Sequence, residues 1–252
     1  MALSFAGFGR GAVDAGVLPR HLPPSRGQML AEWPRGLWSL ASLAVSRRAL
    51  DAAPAGDGRP VLLLPGLINS DSSNLFLRRY LHRIGYRAYR WKLGRNFGTR
   101  TVGADAEKLI ARIEHIAGKT GAPVTLIGVS LGGIMARLAA HRRPDLVREV
   151  ITISSPFAGP ATATNVWRTF ERVSGDRIDD PRMKAMQAEA ASPLPVPATA
   201  IWSASDGLVN GLICRAEDGH CRNVEVRSSH VGVQVNPAVL RLVADLLAGT
   251  TD

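Results

Sequence analysis

The feature that most constrains the fold is an apolar strand that runs through a glycine-flanked serine directly into a helix. Residues 124–129 are typical of a buried strand, residues 128–132 (GVSLG) match the G-x-S-x-G pattern, and apolar residues at helical spacing follow over 131–141. In such a turn the serine hydroxyl stands above the end of the sheet, and the glycines avoid collisions with the neighbouring strand and helix. The motif also arises by chance in a chain with 25 glycines, so its setting between strand and helix carries the prediction that Ser130 is a nucleophile.

Strand-like and helix-like segments alternate from residue 60 onward. Short apolar runs predict strands at 61–64, 86–91, 124–129, 149–153, 198–202 and 223–226. Helical spacing predicts helices at 109–118, 131–141 and 237–248, and Asp71 to Asn74 are cap candidates for a further helix that runs through Ile84. This alternation predicts an α/β fold with a mainly parallel sheet and helices on both faces. Residues 157–192 break the rhythm, and we interpret them as a small cap or lid insertion.

The first 58 residues have a different composition and are interpreted as an N-terminal extension to a domain over 59–252. Residues 36–50 predict one amphipathic helix, whose apolar side chains near one face are those of Leu37, Trp38, Ala41, Val45 and Ala49. This face either docks weakly on a membrane surface or packs against its own domain, and we favour packing because it is the commoner arrangement.

Charge and composition exclude several function classes. The formal charge of +10 comes from scattered, arginine-rich positions, which suit an ordinary solvated surface better than a dedicated anionic partner. No nucleic-acid-reading module accompanies it, so nucleic-acid binding is not expected. No apolar run reaches the roughly 18 residues of a spanning helix. Arg10, Asp14 and Arg20 interrupt any secretory pattern, so we expect a cytoplasmic location.

The two cysteines, Cys214 and Cys221, lie close enough in sequence to close a small disulfide loop. A reducing compartment favours free thiols instead. Their spacing is not a common zinc pattern, so we expect no metal, and no cofactor.

A serine hydroxyl becomes a good nucleophile only when a base removes its proton. In chain order after Ser130, Asp206 follows the predicted strand 198–202 and His230 follows the predicted strand 223–226. The carboxyl ends of parallel strands meet at one edge of the sheet, so the three side chains are expected to lie together as nucleophile, acid and base. A plain turn at Asp206 and a structural role for His230 are the alternatives.

Two backbone amides are needed to stabilise the oxyanion of a tetrahedral intermediate. We predict the amide of Leu131, directly after the nucleophile, and the amide of Leu67 in the turn Pro65-Gly66-Leu67 after the first strand. An ordinary Pro-Gly turn is the alternative for Leu67.

Together, residues 64–67, 128–132, 206–209 and 229–230 resemble the α/β-hydrolase superfamily, particularly its lipase and esterase branches, over about 60–249. The resemblance implies hydrolysis of a small-molecule ester through an acyl-enzyme, with Ser130 as nucleophile. Many relatives carry His-Gly where this chain has Pro-Gly before Leu67, a change that keeps the backbone donor and removes the histidine.

The resemblance also implies that a cap stands at 157–192, where Trp167, Phe170 and Val173 either line an acyl site or pack on the sheet. Acyl transfer, thioester hydrolysis and cofactor-free peroxidation use the same three residues and stay open. A non-catalytic binding module of the same fold is a further alternative. Epoxide hydrolases and dehalogenases resemble this plan with an aspartate in place of Ser130, which argues against those activities.

Overall fold

A computed structural model describes residues 21–217 and 219–250. The prediction that the first twenty residues lack a secretory pattern lies outside the described residues. So does the part of the predicted extension that precedes residue 21.

The described residues contain a six-stranded, all-parallel sheet with the order β2-β1-β3-β4-β5-β6. The strands are β1 (Pro60–Leu64), β2 (Arg87–Arg90), β3 (Val124–Val129), β4 (Val147–Ile153), β5 (Ala198–Trp202) and β6 (Cys221–Glu225). The predicted α/β fold with a mainly parallel sheet is therefore confirmed. The strand order reverses between β1 and β3, and ligand crevices form where the connections on either side of such a point diverge.

Helices cover both faces of this sheet. Within the described residues the α-helices are α1 (Arg26–Leu30), α2 (Glu32–Val45), α3 (Arg47–Asp51), α4 (Leu75–Arg83), α5 (Thr99–Val102), α6 (Glu107–Thr120), α7 (Leu131–Arg142), α8 (Trp167–Ser174), α9 (Pro181–Ala191) and α10 (Pro237–Ala248). Short 3-10 turns lie at Pro144–Leu146, Ala161–Ala163, Gly211–Cys214 and Val233–Val235.

Strand β1 shows how the core is divided between the two faces. Its side chains alternate: Val61 and Leu63 pack with α4 and α10, whereas Leu62 and Leu64 pack with α6 and α7. All four are buried, as expected for a central strand of a sheet covered on both sides.

Two predicted helix boundaries show which local signals were reliable. Helix α10 begins as expected after Asn236, whose side chain accepts a hydrogen bond from the amide of Ala238 (2.9 Å), and it ends at Gly249 with a φ of +68°. Helix α4 begins at Leu75, directly after Asn74, the last of the predicted cap candidates, although the Asn74 side chain makes no capping hydrogen bond. The carboxylate of Asp71, predicted as a candidate cap, instead accepts from the amides that follow β2.

The amphipathic helix predicted over 36–50 is wrong in its bounds and in the face that packs. The chain forms α2 and α3 with a break at Ser46, and α2 begins four residues earlier than expected. Pro34 is tolerated because it lies in the first turn, where its missing amide proton would have no helical acceptor.

The predicted apolar face of this helix points to solvent. Leu37, Trp38 and Val45 are 65%, 75% and 88% exposed, and Ala41 and Ala49 are exposed as well. The domain is contacted by a different side of α2, on which Glu32, Gly36 and Ser39 are buried. The small side chains of Gly36 and Ser39 allow the backbone of α2 to lie close to the domain. The side of α2 that packs is therefore not its most hydrophobic side.

The segment predicted as a cap lies between β4 and β5 and contains α8 and α9. Cys214 and Cys221 are buried and not joined by a disulfide. None of the helices in the described part of the chain is long and apolar enough to cross a bilayer.

Candidate active site

Ser130 occupies a strained turn between β3 and α7. Its φ of 53° and ψ of −123° lie where residues other than glycine are rarely found. A Cβ on Gly128 would lie 2.4 Å from the carbonyl oxygen of Gly132, and a Cβ on Gly132 would lie 2.4 Å from that of Leu64. The two glycines are therefore needed for β3, α7 and the end of β1 to meet at this point.

Asp206 and His230 are brought together from the loops that follow β5 and β6. Nδ1 of His230 lies 2.7 Å from Oδ2 of Asp206. The other carboxylate oxygen, Oδ1, accepts from the amides of Leu208 (2.9 Å) and Val209 (2.8 Å). These three hydrogen bonds fix the orientation of the Asp206 carboxylate. The residue is only 2% exposed, so water has little access to it.

Opposing effects act on the pKa of the His230 imidazole. Burial lowers the pKa, because the charged form loses its hydration. The negative charge of Asp206, the hydrogen bond to it and the more remote charge of Glu32 raise the pKa. The net result is a pKa raised from the ordinary histidine value.

Ser130 and His230 line the same cavity, but within residues 21–217 and 219–250 no hydrogen bond joins Ser130 Oγ to the imidazole. Catalytic hydrogen bonds are often longer in free enzymes and shorten when substrate binds. The structure thus brings the predicted nucleophile to the cavity that the predicted acid–base pair also faces.

The two residues predicted to supply the oxyanion amides, Leu67 and Leu131, line one cavity together with Ser130. Leu131 is the first residue of α7, so its N–H has no acceptor within the helix, and the helix N-terminus favours a negative charge. A Cβ on Gly66 would lie 3.2 Å from Cβ of Ser130, which puts the turn before Leu67 against the nucleophile.

Asn96, which the sequence analysis missed, holds this turn in place through hydrogen bonds to Pro65 and Ile68. Its fully buried side chain donates from Nδ2 to the backbone carbonyl of Pro65 (2.7 Å), and the backbone carbonyl of Asn96 accepts from the amide of Ile68 (2.7 Å). Ile68 has a φ of +65°, which is unusual for a β-branched residue, so Leu67 lies between two braced positions. The only sequence signal was a loop rich in turn-forming residues, Gly94 to Gly98, after β2.

Glu32 was also missed. Its carboxylate is 1% exposed and contacts the loops that carry Asp206 and His230. A usable signal was present in the sequence, because Glu32 is the only acidic residue between Asp14 and Asp51.

Two cavities open on either side of Ser130 and Leu67. The first, which we call the cap cavity, lies under α8 and α9, and its lining includes Trp167, Phe170, Met183, Met186 and Ile134. Of the three cap residues proposed for an acyl site, Trp167 and Phe170 line this cavity, whereas Val173 is not among its lining residues.

The second, the entrance cavity, lies beside α2 and is lined by His230, Trp33, Leu37, Phe76 and Val231, among others. His230 lines the entrance cavity but not the cap cavity. The two sides of the predicted nucleophile therefore differ in their access to the imidazole.

A family model for the α/β-hydrolase fold matches residues 59–174, which include β1, the turn around Ser130 and the start of the cap. The described residues also have the parallel sheet and helical layers of that fold. The protein has the α/β-hydrolase fold, as the resemblance implied.

Solved structures similar to this chain include lipases, at identities low enough that the likeness concerns the fold alone. Lipase B of Aspergillus fumigatus is 18% identical with a TM-score of 0.56, over 78% of this chain and 54% of that one. The monoacylglycerol lipase of Paleococcus ferrophilus is 17% identical with a TM-score of 0.55, over 78% and 98% of the two chains. A Bacillus licheniformis lipase is 17% identical with a TM-score of 0.57, over 78% and 94%.

Proposed function

We propose that this protein of the α/β-hydrolase fold cleaves carboxylic esters through an acyl-enzyme formed on Ser130. The observation that carries the proposal is the buried Asp206–His230 pair, joined at 2.7 Å and facing the cavity onto which Ser130 also opens. A serine, a histidine and a carboxylate in this order can activate a hydroxyl group for attack on a carbonyl carbon.

In the proposed reaction, Ser130 Oγ attacks the ester carbonyl while Nε2 of His230 takes its proton. The negative charge that develops on the carbonyl oxygen is stabilised by the amides of Leu67 and Leu131. The imidazolium then protonates the leaving alkoxide, and the same imidazole later removes a proton from the water that hydrolyses the acyl-enzyme. Asp206 holds the imidazole in one tautomer and stabilises its charged form.

The two cavities support an assignment of the two halves of the ester. His230 must reach the oxygen of the leaving alcohol, and of the two cavities it lines the entrance cavity and not the cap cavity. We therefore place the alcohol half of the ester in the entrance cavity and the acyl chain in the cap cavity. The entrance cavity has a volume of about 480 Å³, within the roughly 300–1,000 Å³ of ligand pockets.

The cap cavity supports an apolar acyl chain of intermediate length. Its lining is mainly aliphatic, aromatic and thioether side chains, and its volume is about 130 Å³. This volume is below the roughly 300–1,000 Å³ of pockets for drug-sized ligands, so it suits a chain shorter than palmitate. We therefore expect medium-length acyl chains to be preferred over acetate and over palmitate.

A lipid surface is the proposed source of such esters. Exposed apolar side chains of α1 and α2, including Leu30, Trp38 and Val45, lie on the extension that borders the entrance cavity. Arg26 and Arg47 are exposed on the same run of helices, which favours an anionic surface.

The experiment that tests the proposal compares wild type and Ser130→Ala on p-nitrophenyl esters from acetate to palmitate, with labelling by a fluorophosphonate probe. Activity and labelling that are both lost in the variant would support a serine esterase, and the optimum chain length would test the cavity assignment. A wild type that neither hydrolyses any ester nor reacts with the probe would overturn the proposal. Acyl thioesters run alongside show whether esters are the better substrates.

A further inference from the structure

Glu32 makes an unusual set of contacts for the first residue of a helix. Oε1 accepts from the amide of Gly207 (2.7 Å), and Oε2 accepts from the amide of Val231 (2.9 Å). These amides directly follow Asp206 and His230 in the sequence. One carboxylate from the N-terminal helices therefore joins the two loops that carry the predicted acid and base.

The helices that carry Glu32 fit closely against both loops. A Cβ on Gly207 would lie 2.3 Å from the carbonyl oxygen of Gln28, and a Cβ on Gly232 would lie 2.7 Å from Cα of Gly36. Backbone packs against backbone at both places, so a side chain at either glycine would force α1 or α2 away from the loops.

The burial of Glu32 needs compensation, because a buried carboxylate is costly unless it is paired and hydrogen-bonded. Besides the two amides, Nη2 of Arg35 donates to Oε1 (3.1 Å), and Nη1 of Arg35 reaches the carbonyl of Ser205. The loop that carries Asp206 is thus held on both sides of that residue. Glu32 binds the amide of Gly207, and Arg35 binds the carbonyl of Ser205. An exposed acidic residue at the same position would interact equally well with the N-terminus of α2. Stabilisation of the helix end therefore does not explain why Glu32 is buried between the two loops.

We propose that Glu32 is a positioning residue for the reaction: it holds the loops of Asp206 and His230 at the spacing that their hydrogen bond requires, and it adds a second negative charge on the His230 side of the site. This inference rests on the proposed function. It gives the N-terminal helices a part in assembling the catalytic site.

The charges that face His230 define the expected pH behaviour. Asp206 is its direct partner, Glu32 approaches from α2, and Arg35 partly offsets the charge of Glu32. Removing the negative charge of Glu32 makes the imidazolium less favourable. The pKa of His230 should fall, and activity should persist to lower pH.

The test substitutes Glu32 by Gln, Asp and Ala. Gln keeps the size of the side chain, but its NH₂ group replaces one of the two oxygens that accept from the amides of Gly207 and Val231, so one of these hydrogen bonds is lost. We expect kcat to fall about tenfold with KM nearly unchanged, and the acidic limb of kcat/KM to move to lower pH. Asp keeps the charge and shortens the reach, so kcat should fall while the acidic limb moves less. Ala removes charge and bridge, with a loss of about a hundredfold.

Asp51→Asn is the matched control, because Asp51 also lies on the N-terminal helices but, among residues 21–217 and 219–250, its ion pairs are the exposed ones with Arg47 and Arg83. It should leave the rate, the pH limb and the melting temperature unchanged. Circular dichroism and thermal melts define the folded fraction for every variant, and Glu32→Asp supplies the comparison if the Gln and Ala variants fail to fold.

A second readout does not depend on substrate. The His230 imidazole is titrated by NMR in the Ser130→Ala background with and without Glu32→Gln, and its signal is assigned from a His230→Gln spectrum. A lower His230 pKa in the Gln variant supports the proposal.

Folded Glu32→Gln protein with wild-type turnover and an unchanged His230 titration would overturn it. The proposal would also be overturned if the loss of rate in the Glu32 variants were fully explained by their smaller folded fraction. If wild type hydrolyses no ester and takes no phosphonate, the proposed function fails, while the titration still decides whether Glu32 acts on His230.

Discussion

Oδ2 of Asp206 lies 2.7 Å from Nδ1 of His230, while Oδ1 of the same carboxylate is held by two backbone amides. The carboxylate cannot rotate without breaking all three contacts. Because an ionised carboxylate only accepts hydrogen bonds, Nδ1 must carry the proton, and Nε2 is left with its lone pair. The relationship fixes the tautomer that a general base requires.

Asp206→Asn should therefore abolish most of the activity while leaving the fold intact. The amide can present N–H to Nδ1 and stabilise the wrong tautomer, and kcat should fall about 10³- to 10⁴-fold with a small change in KM. Steady-state kinetics on the best p-nitrophenyl ester, with thermal melts, measures both effects.

Asp179→Asn is the control for this substitution, since Asp179 lies in the cap segment, is largely exposed and, in the described part of the chain, forms its ion pair with Arg177 alone. Its kinetics should match wild type. A folded Asp206→Asn enzyme with more than about a tenth of wild-type kcat would contradict the assigned role of the acid.

The raised pKa of His230 sets the expected pH dependence. The base must be neutral to accept the proton of Ser130, and a raised pKa keeps the imidazole protonated to higher pH. Activity should thus rise with pH through a midpoint above about 6.5, the ordinary histidine value. A kcat/KM profile from acidic to mildly alkaline pH measures this midpoint. A midpoint below the ordinary value would mean that burial outweighs the negative charges.

The positions of Asp206 and His230 could be predicted from sequence because each follows a strand of a parallel sheet. Strand β5 was predicted at its observed bounds, and β6 was predicted two residues late at its start. An error of that size does not move a residue away from the carboxyl edge of the sheet. Parallel topology then brings the two loops together whatever their detailed conformation.

The contacts of Glu32 could not be predicted in this way. Its two backbone partners are 175 and 199 residues distant in the chain, and no periodic pattern relates such positions. Periodicity in α2 did identify an apolar stripe but not what that stripe faces. The side that packs holds Gly36 and Ser39, which allow close approach without contributing a hydrophobic signal.

Asn96→Asp tests the brace beneath the Leu67 amide. Aspartate keeps an oxygen for the amide of Gly98 but loses the N–H that donates to the carbonyl of Pro65, and it sets a carboxylate against that carbonyl. The Leu67 donor should shift, and kcat should fall about 10- to 100-fold with little change in KM. A folded variant with wild-type kcat would show that the turn holds its shape without this hydrogen bond.

Gly132→Ala tests the close approach of α7 to β1. The new methyl would meet the backbone oxygen of Leu64 at 2.4 Å, which no side-chain movement relieves. We expect a loss of about 1–3 kcal/mol in the free energy of unfolding and a large fall in activity. Denaturant unfolding measures the first quantity.

Gly118→Ala is the matched control, because a Cβ there meets nothing within 4 Å and the site lies within α6. That change should stabilise the protein by roughly 0.5–1 kcal/mol. Equal stability changes at the two glycines would contradict the packing argument for Gly132.

The exposed apolar side chains of the N-terminal helices should mediate binding to anionic lipid. The variant Leu30→Ser, Trp38→Ser, Val45→Ser changes three side chains that are 73%, 75% and 88% exposed and that do not line either cavity. Because these groups gain little from folding, the melting temperature should be unchanged. Burying each of them in a bilayer interface would contribute up to roughly 1.5–3 kcal/mol, so the variant's affinity for vesicles should fall at least about tenfold.

Co-sedimentation with vesicles that contain phosphatidylglycerol measures this affinity, and phosphatidylcholine vesicles test the contribution of the arginines. Hydrolysis of a dissolved short-chain ester should be the same in the variant and in wild type, since the cavities are untouched. Wild-type protein that sediments with neither kind of vesicle would contradict the lipid-surface proposal. Loss of binding together with full activity on the dissolved ester would separate surface attachment from the chemistry at Ser130.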